Sequence, residues 1–136
     1  MTRLAPTTPC RWPALLLAGL AASGTASAAG ADDTMHKLAN TSGCMTCHHI
    51  EPGAKGPNGL APIGPAWRDV AAKYKGQAGA QAKLSQTVMA GSNPYDSHWK
   101  GKVSGLAMPP NAVAIKPADA KKLVRWILSL DAAKKS

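Results

Sequence analysis

Residues Cys44-Met45-Thr46-Cys47-His48 constrain this chain more than anything else in its 136 residues. Two cysteines three positions apart, with a histidine directly after the second, form the attachment pattern of c-type haem. Thiols about one helical turn apart can add to the two vinyl groups on one edge of a porphyrin. The adjacent imidazole then rises beneath the ring as the proximal iron ligand. Structural zinc usually draws its ligands from two separated pairs, and no second Cys pair or His-x-His cluster follows Cys47. A thioredoxin-like redox pair belongs in a βαβ pattern, and none surrounds this one. The motif therefore reads as one covalently bound haem c, attached through Cys44 and Cys47 with its iron on His48.

The surroundings of the motif point to export. Arg3 and Arg11, an apolar stretch from Trp12 to Ala22 and the small-residue triplet Ala26-Ser27-Ala28 follow one another. That is the order of a secretory signal peptide with an A-x-A cleavage site. The apolar run is too short to span a bilayer, which takes roughly 20 residues, so cleavage is favoured over retention as an anchor. The expected organisation is a cleaved signal peptide, 1–28, and one monohaem domain, 29–136, in the periplasm with no integral membrane segment. Cys10 leaves with the signal, and only Cys44 and Cys47 remain. An oxidising compartment pushes two bare thiols toward a disulfide; thioether bonds to haem remove that fate.

Cleavage takes away two of the 16 basic residues and none of the 7 acidic ones, leaving a net charge of about +7. No nucleic-acid-binding motif accompanies this charge, and the lysines are spread from Lys37 to Lys135 rather than gathered in a block. Docking onto an acidic redox partner or a membrane surface suits it, as does a merely solvated basic surface. A chain of this length is one domain, expected to be a monomer. Such small domains bury limited surface, and a covalently held porphyrin supplies the missing centre of the core in the way a staple does.

The pattern along the chain is helical. Asp32 and Asp33 are expected to open an amphipathic segment with Met35, Leu38 and Ala39 on one side, stopped by Gly43. Residues 51–65, dense in Gly and Pro, read as loop. Ala66–Tyr74 reads as a helix with Val70 and Tyr74 inward, ended by Gly76. Ala80–Ala90 reads as another, carrying Leu84, Val88 and Met89 and capped by Gly91. The last helix starts at Pro117, a favoured first-turn residue, and repeats apolar side chains at Leu123, Trp126, Ile127 and Leu130. Lys116 before it is a poor N-cap.

The sixth iron position has several candidates in the mature chain: Met35, Met45, Met89, Met108, and the histidines His36, His49 and His98. Met45 lies between the attachment cysteines and cannot reach the opposite face. Met35 and Met89 sit at helical spacing, where methionine commonly fills core gaps. Met108 stands in Gly105-Leu106-Ala107-Met108-Pro109-Pro110-Asn111, where paired prolines stiffen the backbone that carries the sulfur.

The chain resembles the small bacterial class I cytochromes c of the c-551/c-552 type. The resemblance is carried by Cys44-Met45-Thr46-Cys47-His48, the run Gly64-Pro65-Ala66-Trp67-Arg68-Asp69-Val70-Ala71-Ala72-Lys73-Tyr74, Gly76–Ala80, Met108-Pro109-Pro110-Asn111-Ala112-Val113 and Trp126–Leu130. It implies an all-α small cytochrome c fold, four to five helices around one covalently bound haem, with the first and last helices crossing beside it. It also implies His48/Met108 axial ligation, with the Pro65 carbonyl on the ring N–H of His48 and the Asn111 amide near the Met108 sulfur. Trp99 would match the tryptophan that bonds a haem propionate.

Departures from that pattern lie in two long loops, 50–63 and 93–107. Thr87 stands where the family often places a basic residue near the propionates, so Lys100 or Lys102 are candidates for that charge. The function implied is a soluble single-electron carrier, not an enzyme, between a quinol-oxidising bc1-type donor and a terminal acceptor. A nitrite reductase, a cytochrome oxidase or a cytochrome c peroxidase would fit as that acceptor. Two alternatives differ in class. One is a peroxidase-like or gas-binding haem protein with an open sixth site, for which His98 is the available acid or base. The other is a haem subunit of a larger sulfur- or nitrogen-oxidising enzyme.

Overall fold

In the computed structural model, residues 26–131 are described, with side-chain surroundings from residue 30 onward. Four helices follow in order: α1 (Ala26–Thr41), α2 (Trp67–Tyr74), α3 (Ala80–Ala90) and α4 (Pro117–Ser129). The described residues contain no named strand, only an isolated bridge between Lys100 and Val103. The expected signal segment lies outside the described residues except for 26–28, which form the start of α1.

The acidic pair Asp32-Asp33 does not open α1, as the sequence suggested; the helix starts six residues earlier. Alanines at 26, 28 and 29 explain it, because alanine loses the least on entering a helix. Gly43 ends this segment as expected. It adopts φ +73°, a left-handed conformation open to glycine, and turns the chain into a 3₁₀ turn over Cys44–Thr46. The structure also sharpens the start of α2: Ala66 is extended and offers no side-chain cap. The orphan N–H groups at that end are satisfied from the haem-motif side instead, Trp67 N–H donating to His49 O at 2.9 Å and Arg68 N–H to Ile50 O at 3.2 Å.

α4 is the element that the others share, making contact with α1, α2 and α3. Its buried face is Ala120, Leu123, Val124, Trp126 and Ile127; Leu123, Trp126 and Ile127 match the apolar spacing in the sequence, while Leu130 lies just past the helix and is half-buried. Ala120, Leu123, Trp126 and Ile127 join Ala39, Trp67, Val70 and Ile115 in one core. Ala39 in α1 and Ala120 in α4 are fully buried members of that core. Trp67 and Trp126 meet edge to face, 5.7 Å between ring centroids, a favoured geometry for aromatic pairs. The indole N–H of Trp126 donates to the Asp32 carboxylate at 2.7 Å and ties α4 to α1. Neither residue type nor spacing marks this contact in advance.

Beside that core lies a second group of apolar side chains that are only partly buried. Met35, Leu38, Met45, Ile50, Leu84, Val88, Met89 and Trp99 all pack against the core without being enclosed by protein. Met35 and Met89 thus take the packing positions that their helical spacing suggested.

Candidate haem site

The site is built from three short backbone segments rather than from helix faces. In the first, His48 N–H donates to Cys44 O at 3.1 Å and Cys47 N–H to the same oxygen at 3.3 Å. This tight turn carries the two thiols and the imidazole within the single coil Cys44–His48. Both cysteines stand outside any disulfide and are of intermediate exposure. Burial pushes the Cys44 thiol above its ordinary range, and the neighbouring Cys47 adds to that, while a backbone hydrogen bond opposes it.

The second segment, 62–65, fixes the histidine. His48 Nδ1 lies 2.8 Å from Pro65 O. A carbonyl only accepts, so Nδ1 carries the proton and Nε2 keeps its lone pair, the tautomer that an iron ligand needs. Burial lowers the pKa of His48, against the opposing Pro65 hydrogen bond, and so favours the neutral ring. Gly64 makes the approach possible. Its N–H donates to Cys47 O at 2.7 Å, and a Cβ there would sit 2.8 Å from His48 Cε1. Trp67 stacks on the imidazole at 5.9 Å between centroids and 26° between planes.

The third segment carries Met108, which is half-buried between α3 and the chain leading to α4. Its backbone N–H donates to Ser92 Oγ at 2.8 Å. Asn111 holds the far side, its N–H donating to Val88 O at 3.1 Å. The Asn111 side-chain amide donates to Pro109 O at 2.7 Å and Val88 O at 3.3 Å, which makes it a brace of the Met-Pro-Pro turn.

The long loops are joined to each other. Ser104 N–H donates to Pro62 O at 2.9 Å and Gly105 N–H to Ile63 O at 3.0 Å. The backbone that contacts His48 is thereby bonded to the strand of chain that leads into Met108. Trp99 lies partly buried against the core. His98 sits edge-on to its ring at 4.8 Å, and the Lys102 ammonium is 5.8 Å from its centroid. His98 itself is exposed; partial desolvation and the charges of Lys73 and Lys102 lower its pKa. His98 Nε2 and Lys102 Nζ lie 3.5 Å apart beside this ring.

A planar apolar group with an edge of two reactive positions and a metal centre fits this arrangement. Two cysteines outside any disulfide and a correctly protonated imidazole share one turn, and a half-enclosed set of apolar side chains packs against the same core. Sequence reasoning missed Ser92, Gly64 and Gly105 as contributors. The Gly64-Pro65 dipeptide was the one available signal, since glycine before a rigid turn marks close backbone approach.

Fold and site together define a small helical domain for electron transfer through a covalently bound haem. Residues 35–131 match the family model described as cytochrome c. The chain is 45% identical over 93 residues to cytochrome c-551 of Allochromatium vinosum, covering 68% of this chain and 82% of the relative. It is 39% identical over 114 residues to cytochrome c-551 of Pseudomonas aeruginosa, covering 83% and 93%. Among solved structures, wild-type Nitrosomonas europaea cytochrome c552 superposes with a TM-score of 0.54 at 34% identity, over 71% of this chain and 99% of that one. The chain belongs to the cytochrome c family, as a small class I member of all-α fold that carries covalent haem and iron.

Proposed function

We propose that this cytochrome is a periplasmic single-electron carrier whose haem is held by Cys44 and Cys47, with His48 and Met108 as axial ligands. The bound haem supplies one-electron exchange at iron. The chain's contribution is to keep that iron in one coordination geometry. The observation that carries the reading is the fixed His48 tautomer, 2.8 Å from Pro65 O, together with a Met108 segment pinned to α3 and its end. Two protein ligands on stiff backbone change position little between oxidation states. A thioether opposite histidine also holds the potential higher than a second histidine would.

The residues around the site support docking by charge. His98 and Lys102 lie together beside Trp99, and Lys55 and Lys100 are exposed on the two long loops. Such a basic surface steers encounter with an acidic redox protein. The donor is a quinol-oxidising complex of bc1 type and the acceptor a terminal reductase, oxidase or peroxidase. Export follows the signal-like order of residues 1–28. No helix among the described residues is long and apolar enough to cross a membrane. Trp99, Pro65 and Asn111 support the haem from beyond the ligands, with Lys102 or Lys100 as the cation for a propionate.

The visible spectrum of the purified mature protein tests this reading. Ferric protein should show a weak far-red sulfur-to-iron band that Met108→Ala abolishes, and the variant should bind cyanide or carbon monoxide. A band that survives Met108→Ala but disappears in His98→Ala would overturn the ligand assignment.

A further inference from the structure

Proline stiffens a segment but cannot anchor it, because it has no N–H to donate. In Met108-Pro109-Pro110 the only backbone donor is therefore Met108 itself. That N–H donates to Ser92 Oγ at 2.8 Å, and the Ser92 N–H donates back to Met108 O at 2.9 Å. Both peptide planes that meet at the Met108 Cα are thus gripped by one residue. Those planes set φ and ψ of Met108, and with them the direction in which its side chain leaves the backbone.

We propose that Ser92 is the positioning residue of the sixth iron ligand, an inference that rests on the assignment of Met108 to that place. Gly91 permits the clamp. It ends α3 at φ +85°, and a Cβ there would meet Met108 O at 3.0 Å and Pro110 Cδ at 3.1 Å. The next anchor downstream is Asn111 N–H on Val88 O, also in α3. α3 and its end therefore hold the Met-Pro-Pro turn on both sides, with Ser92 bearing the side nearest the sulfur. Removing the Ser92 hydroxyl leaves the half-buried Met108 N–H without its acceptor. The first peptide plane is then free to rotate, and the sulfur spends more time away from its bonding position.

The test uses the mature holoprotein and imidazole as a competing ligand for the ferric iron. Ser92→Ala should bind imidazole about five- to tenfold more tightly than wild type, the size set by one lost hydrogen bond, and its far-red band should weaken. Ser92→Thr keeps the hydroxyl and should restore both readouts. Ser85→Ala removes a hydroxyl within α3, bonded to Gln81 O at 2.7 Å, and should leave both unchanged. If Ser92→Ala does not accumulate, Ser92→Cys, a weaker acceptor of similar size, carries the same test. Met108→Ala separates the two failures. If it keeps the band, the ligand assignment is wrong and the clamp positions nothing. If it loses the band while Ser92→Ala binds imidazole like wild type, or while Ser92→Thr behaves like Ser92→Ala, the positioning inference is overturned.

Discussion

Gly64→Ala sets two opposing effects against each other, and the structure says which prevails. Gly64 is buried and is not among the residues with positive φ, so alanine can adopt its conformation. Taken alone, that substitution stabilises by about 0.4–1 kcal/mol, through the lower freedom of the unfolded chain. Against it, the new Cβ would lie 2.8 Å from His48 Cε1, 2.9 Å from His48 Nδ1 and 3.0 Å from Cys47 O. Ordinary contact begins near 3.4 Å, so the ring or the backbone must yield by about 0.6 Å. Overpacking of this kind costs roughly 1–3 kcal/mol. Displacing the ring also strains the 2.8 Å bond from Nδ1 to Pro65 O, worth about 1 kcal/mol. The clash wins, with a net loss of about 1–3 kcal/mol. For a domain of this size each kcal/mol moves Tm by roughly 4–8 °C. Thermal unfolding of the ferric holoprotein, followed by circular dichroism, should show the drop. The reduction potential should rise as well, because a weaker Pro65 bond leaves the imidazole less electron-rich. A Tm equal to or above wild type would refute the argument, since it would mean that His48 moves aside at no cost.

Three further outcomes follow from other parts of the molecule. Cys44→Ser should leave haem attached by one thioether and Cys44→Ser/Cys47→Ser by none, so that acid-acetone extraction removes it from the double variant and not from wild type. Lys73→Glu/Lys102→Glu should slow bimolecular electron transfer to an acidic partner while leaving the potential nearly unchanged. The wild-type rate in stopped-flow should fall with salt as the Debye length shrinks from about 10 Å at 0.1 M to about 3 Å at 1 M; a rate flat with salt would remove the charge-steering argument. Trp126→Phe should destabilise by about 2–3 kcal/mol in denaturant titration. It deletes the 2.7 Å bond to Asp32, a charge-assisted one, and leaves a gap at a residue only 9% exposed.

The parts of this structure that were legible in the sequence are those written in side-chain chemistry or periodicity. Cys44-x-x-Cys47-His48 announced the cofactor, and the spacing of Leu123, Trp126 and Ile127 announced the buried face of α4. Gly43 and Gly91 marked helix ends because positive φ is cheap only for glycine. What stayed hidden was backbone meeting backbone. The joining of Ser104 and Gly105 to Pro62 and Ile63 uses N–H and carbonyl groups that every residue of those loops possesses. Nothing in residues 50–63 or 93–107 distinguishes two loops that bond from two that merely lie on the surface. The Asp32–Trp126 bond spans 94 positions, and an acidic residue near a helix start already had a local explanation in the dipole. The reading of Asp32-Asp33 as the opening of α1 went astray for that reason.

The shared position of α4 bears on the order in which the molecule can come into being. Five of the twelve buried apolar residues among those described come from this helix, and α1, α2 and α3 all rest on it. A chain is made from its N-terminus, so every earlier helix is synthesised before the surface it will bury against exists. Short helices without a packing partner are marginal in water, and the segment around Cys44 to His48 therefore remains open until the final helix arrives. Thioether formation needs both thiols within reach of a porphyrin edge. A domain closed by the helix that all the others share keeps the Cys44–His48 turn within reach of a porphyrin edge until that helix docks, and folding then seals what chemistry has joined.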